Sequence, residues 1–145
     1  NIQISRLIEL QKSAETSIGV YSHMGGKIVS AVVIKGADDQ EALARDIAMH
    51  VAAEAPDYLS PEEVPAEIKA KEEDIARSQI KNKPPEIIEK ILGGKMRAYY
   101  ESSCLNEQKY VKDPSLKVAK FLEQEGKKLG KPLELTQFIR WQIGE

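Results

Sequence analysis

The chain has 145 residues, of which 41% are hydrophobic and 30% charged, with 21 Lys and Arg against 23 Asp and Glu for a formal net charge of −2. That length holds one compact unit with a small appendage rather than two full domains, and the apolar fraction excludes wholesale disorder. The near-cancelled charge excludes a global positive field that would draw the chain to nucleic acid or anionic lipid, and the single Cys104 excludes an intramolecular disulfide.

No apolar run approaches the roughly 20 residues of a membrane span, and the first residues carry no signal-peptide core, so the expected setting is the cytoplasm or an organelle interior, with no membrane partner. The chain begins at Asn1 inside a strand-like pattern and reads as a piece of a longer polypeptide. Ile2, Ile4, Ile8 and Leu10 share one parity, which predicts a half-buried strand over 2–10. Ser17 to His23 is rich in β-favouring types, Met24-Gly25-Gly26 supplies a turn, and Lys27 to Ile34 follows as a buried arm, which together predict a β-hairpin. Asp38 with Glu41 three residues later predicts a capping-box helix start, and the helix runs to about Ala55 before Pro56, with Leu43, Ile47 and Val51 stacked on its inner face.

At Pro56 the character changes. The segment 56–104 is charged, strongly helix-forming and punctuated by prolines, and reads as an insertion into a core formed by 1–55 and 105–145. Ile68 and Ile75, seven apart, lie in one predicted helix, and Ile87, Ile88, Ile91, Leu92 and Met96 lie in the next, which starts at Pro84 or Pro85. The two are expected to fold back as an antiparallel, coiled-coil-like helical hairpin with a kink at Gly93-Gly94, serving either as a self-packed strut or as a dimerisation or docking arm. Asp113-Pro114 predicts the cap and first position of another helix, carrying Val118, Phe121 and Leu122. Leu133, Leu135, Ile139, Trp141 and Ile143 then share a parity broken by Phe138 alone, which predicts a closing strand buried on that face. The resulting fold class is α+β: a small, mostly antiparallel sheet with packed helices, interrupted by the helical hairpin.

Residues that could carry covalent chemistry are scarce. His23, His50 and Cys104 lack the spacing of a zinc site, and Ser22 and His23 are strand neighbours whose side chains point to opposite faces. Gly25-Gly26-Lys27 lacks the hydroxyl residue and first glycine of a phosphate loop, so a hairpin turn explains it better. No cofactor and no metal are implied, and the chain does not read as an enzyme. His23, at a strand end beside a glycine turn, is either a solvated turn histidine or a partner contact. His50 reads as a satisfied histidine at the core edge. Tyr110 and Val111 place apolar surface in a connection, either as interface anchors or, for Tyr110, as a plug between hairpin and sheet.

Several stretches, in order, resemble the C-terminal half of the bacterial elongation factor Ts family. They are Asn1-Ile2-Gln3-Ile4-Ser5-Arg6, Tyr21-Ser22-His23-Met24-Gly25-Gly26-Lys27-Ile28, Asp46-Ile47-Ala48-Met49-His50-Val51-Ala52, Lys83-Pro84-Pro85-Glu86-Ile87-Ile88-Glu89-Lys90-Ile91, Glu107-Gln108-Lys109-Tyr110-Val111-Lys112-Asp113 and Phe138-Ile139-Arg140-Trp141. The resemblance implies a guanine-nucleotide exchange factor for elongation factor Tu, with an α+β core subdomain and a dimerisation hairpin. It assigns His23, Tyr110, Val111 and Lys112 to contact with elongation factor Tu, although Lys109 stands where the family has proline and Tyr110 where it has phenylalanine. The family's N-terminal helical domain and its Asp-Phe wedge loop have no counterpart in these residues, which implies docking without accelerated nucleotide release. A ribosome- or RNA-binding module built on the helical hairpin is the alternative reading.

Overall fold

The computed structural model describes residues 2–144; the ends of the expected core segments at Asn1 and Glu145 lie outside the described residues. Its elements are β1 (Thr16–His23), β2 (Ile28–Lys35), α1 (Glu41–Glu54), α2 (Ala66–Ser78), α3 (Pro85–Ser103), β3 (Lys109–Tyr110), β4 (Asp113–Lys117), α4 (Val118–Leu129) and β5 (Glu134–Gln142). The fold class is α+β, as the periodicity predicts.

β1, β2 and β5 form an antiparallel sheet in the order β1-β2-β5, and β3 pairs with β4 in a separate two-stranded ribbon. The hairpin forms where the sequence places it, because Gly25 at φ 69° and Gly26 at φ 93° supply the left-handed backbone that the reversal needs. In the central strand, Val32 and Ile34 point at α1 and join Ile47, Val51, Leu122 and Leu135 in the main core. α1 lies unusually close to β1: a Cβ on Gly19 would sit 2.2 Å from the Ala44 carbonyl carbon and from the Arg45 nitrogen. Ser30 reinforces the seat from β2 by donating its buried hydroxyl to the Ala48 carbonyl.

Several expectations are corrected. Residues 2–12 form no strand; Ile2 is 98% exposed, and Arg6 reaches Gln142 O and the Trp141 ring instead. An alternating pattern prepares one face of a strand, but the ladder also needs an adjacent edge to pair with. α1 begins at Glu41 without a side-chain cap from Asp38; Ser17 of β1 instead accepts from the Gln40 N–H at 3.0 Å and donates to Ala37 O at 2.7 Å. The Ser17 hydroxyl thus fixes the chain as it enters α1, while no side chain caps the first turn. Asp113-Pro114 opens β4 rather than a helix: Asp113 pairs with Tyr110 and Lys117 with Lys109 in the ribbon, while the Asp113 carboxylate accepts from the Ser115 N–H and hydroxyl.

β5 departs from its predicted parity as well. A bulge shifts the register between Val33, opposite Gln137, and Ile34, opposite Leu135. Leu135 and Phe138 therefore both face the helices, although they differ in parity, while Ile139 and Trp141 turn to the opposite face of the sheet. The bulge also carries Arg140 to the helix side, where its Nε donates to Ala52 O near the end of α1.

α2 and α3 pack as an antiparallel pair, as the ion pair of Arg77 with Glu89 and the approach of Lys69 to Tyr100 show by their opposed numbering. Their shared core is Ala76, Leu92 and Met96, while Ile75 and Ile87 of the expected isoleucine seam remain 43% exposed. α3 continues through Gly93 and Gly94 as one helix, so tertiary packing outweighs the glycine cost at that point. The base of the hairpin is tied to the core by backbone bonds from Tyr58 N–H to Ser103 O, Leu105 N–H to Tyr58 O and Asn106 N–H to Leu59 O.

Gly19→Ala is expected to lower stability by about 1–3 kcal/mol, because the new methyl forces α1 away from the sheet. Urea denaturation measures this, and an unchanged midpoint would contradict the close seat of α1 on β1.

Candidate functional site

Helical periodicity places Ala44, Ile47, Ala48 and Val51 toward the sheet, and it places Asp46 and His50, four apart, together on another side of the same helix. That side meets the turn between β3 and β4, which consists of Val111 and Lys112. Tyr110 precedes the turn, and it is 2% exposed, stacked on Phe121 with ring centroids 4.2 Å apart. Tyr110 is thus not an exposed anchor but a buried plug, and the junction it fills lies between α1 and α4, against His50 and Phe121, rather than between the helical hairpin and the sheet. Its hydroxyl has no hydrogen-bond partner among the described residues, and burial pushes its pKa up to about 12.

His50 is 0% exposed and both its ring nitrogens are used. Nδ1 accepts from the Val111 N–H at 3.0 Å, which leaves Nε2 to carry the proton and donate to Gln108 Oε1 at 2.9 Å. The Gln108 amide nitrogen then donates to Ser102 O at 2.8 Å and to Glu54 O at 3.4 Å. One histidine therefore ties the turn to the ends of α1 and α3, and every partner in this chain fixes the orientation of the next. The sequence reading of His50 as satisfied and structural agrees with this, but it did not foresee the tie to Val111. The only sequence signal was a helix position four after Asp46.

Above this frame Val111 is 38% exposed, and Lys112 extends to Asp46 Oδ1 at 2.8 Å. Both partners of that ion pair are about half exposed, so it contributes no more than about 1 kcal/mol. His23 stands apart from the turn, at the end of β1, exposed, with its Nδ1 3.1 Å from the Tyr21 hydroxyl and its ring stacked on Tyr21. The structure thus brings Tyr110, Val111 and Lys112 together on α1 and joins His23 to them only indirectly, through the packing of α1 on the sheet.

Among the described residues no group of three His, Cys, Asp or Glu side chains could hold a metal ion, and no helix is long and apolar enough to cross a membrane. Burial raises the Cys104 thiol to about 11, which keeps it protonated and unreactive at neutral pH. What the arrangement offers is a rigidly backed turn with an apolar and a cationic side chain, suited to contact with a protein surface.

A family model described as elongation factor TS matches residues 1–145. The chain is 55% identical, over its full length, to elongation factor Ts of Protochlamydia amoebophila, and 43% identical over 144 residues to elongation factor Ts of Chlamydia muridarum. In both cases the alignment covers 51% of the relative, so the chain spans about half the length of the curated relatives it matches.

Two predictions follow from the geometry. Burial holds His50 below its ordinary 6.5, outweighing Gln108 and Glu54, which act the other way. The unfolded chain then binds the proton more readily than the folded one, so the contribution of neutral His50 is complete above pH 6.5 and is lost as pH falls below it. Urea midpoints at pH 7.5 and 5.5 should show this fall, and it should be smaller in His50→Asn. Tyr110→Phe removes a buried hydroxyl without a partner and should leave stability unchanged or raise it by about 1 kcal/mol, whereas Tyr110→Ala should cost about 3–5 kcal/mol in the same assay.

Proposed function

The chain belongs to the elongation factor Ts family, and from that premise we propose that it is the docking half of a guanine-nucleotide exchange factor for elongation factor Tu, acting in translation elongation in the bacterial cytoplasm. The observation that carries the reading is the β3–β4 turn: Val111 and Lys112 are displayed at the surface while the backbone beneath them is locked to α1 by His50. A surface fixed before binding loses little conformational entropy on association, which favours affinity.

In this reading Val111 and Lys112 meet elongation factor Tu directly, His23 supplies a second contact from the end of β1, and Tyr110 supports the turn from below. Exchange needs no bond making or breaking. A protein that binds the nucleotide-free or loosened GTPase more tightly than the loaded one lowers nucleotide affinity by that same factor. The helical hairpin is assigned to self-association, through the exposed Ile75 and Ile87 beside its small core, within a division into a core of 1–55 and 105–145 and an insertion of 56–104. The alternative of an RNA-binding hairpin is disfavoured by the near-cancelled charge, 21 Lys and Arg against 23 Asp and Glu, since phosphate recognition draws on an excess of cations.

Titrating the chain into elongation factor Tu loaded with a fluorescent GDP analogue tests the proposal. Saturable binding without faster release is the expected result, accelerated release would make this half an exchange factor in its own right, and no binding would refute the assignment. Val111→Ala and His23→Ala should each weaken binding by about 1–2 kcal/mol. Sedimentation of the parent chain and of an Ile75→Lys variant tests the hairpin, with a loss of dimer expected in the variant.

A further inference from the structure

The binding turn contains only two residues, yet its conformation is decided from outside it. The ribbon that carries it is short, with β3 contributing Lys109 and Tyr110 alone and an irregular register beside them. So short a ladder does not fix a turn by itself. The turn backbone is held instead by the His50 ring, whose Nδ1 receives the Val111 N–H, while its Nε2 is held by Gln108. The two ring nitrogens therefore do different work. The Nε2 side secures the ring within the core, and the Nδ1 side secures the turn.

We infer that His50 is the positioning residue of the docking surface: its Nδ1, by accepting from the Val111 N–H, holds the Val111-Lys112 backbone in the conformation that a protein partner recognises. This deepens the proposed function and rests on its claim that Val111 touches the partner. The chemistry separates the two halves of the histidine. In His50→Asn the side-chain oxygen stands near the place of Nδ1 and can still accept from Val111, while the bond to Gln108 is lost. In His50→Gln the amide nitrogen stands near the place of Nε2 and can still donate to Gln108, while Val111 N–H loses its acceptor.

Affinity for elongation factor Tu is measured for the parent chain, His50→Asn, His50→Gln, Val111→Ala and the double variant His50→Gln with Val111→Ala, each alongside a thermal unfolding midpoint. The expected result is binding about tenfold weaker in His50→Gln and within about twofold of the parent in His50→Asn, the size of one well-placed hydrogen bond. Because both substitutions act on one turn, the double variant should bind no more weakly than the weaker of the two single variants.

Parent-like binding by His50→Gln, with Val111→Ala weakened, would overturn the positioning role while leaving the docking surface in place. Equal losses in the two His50 variants that track their unfolding midpoints would overturn it too, by reducing His50 to a core residue. Parent-like binding by Val111→Ala would instead sink the docking surface itself, and the inference with it. Hydrogen exchange on the unmutated chain gives a check that needs no variant to fold: the Val111 amide should exchange as slowly as core amides, and rapid exchange would refute the bond on which the inference stands.

Discussion

The close seat of α1 on β1 is the constraint from which the rest of the molecule follows. Gly19 lets the helix backbone come within contact of the strand, and this depth sets where every side of α1 points. The inner side fills the core against Val32 and Ile34. The outer side, carrying Asp46 and His50, then falls against the β3–β4 turn at hydrogen-bonding distance. A larger residue at position 19 would move the helix and, with it, the buried histidine ring that grips the turn.

Polar satisfaction organises the junction between core and hairpin. Gln108 sits where the end of α1, the end of α3 and the start of β3 converge, and its amide serves His50, Ser102 and Glu54 at once. A buried network is worth keeping only when its members are satisfied, and here the one buried side-chain polar atom without a partner among the described residues is the Tyr110 hydroxyl. That hydroxyl lies at the position where the resemblance leads one to expect phenylalanine. The ring does the work of packing on Phe121, and the oxygen adds nothing that the structure shows.

The architecture separates a rigid display surface from a projecting arm. α2 and α3 share only a small core, and their exposed isoleucines contrast with the fully packed sheet layer. The turn at Val111 and Lys112, by contrast, is tied to the most buried part of the molecule, which suits a contact whose geometry must persist between encounters.

Much of this was written in local pattern. The β1–β2 hairpin was legible because Gly25 and Gly26 are needed for its reversal, α1 because apolar residues recur at helical spacing, and the helical pair because Pro84 and Pro85 separate two strongly helix-forming runs. The α+β class followed from these elements, and the ordered motifs pointed to the family. Only the tertiary structure decided which prepared surfaces found partners. The alternation over 2–10 met no strand to pair with, Ser17 displaced Asp38 as the group that meets the start of α1, and the bulge in β5 sent Phe138 and Arg140 to the helix side in place of Ile139 and Trp141. His50 shows the same division. Its burial was readable from the helix it occupies, but its bond to Val111 joins residues 61 apart in the chain. Hydrophobic period is a property of neighbours in sequence, whereas hydrogen-bond partners are settled only when distant segments compete for the same donors and acceptors.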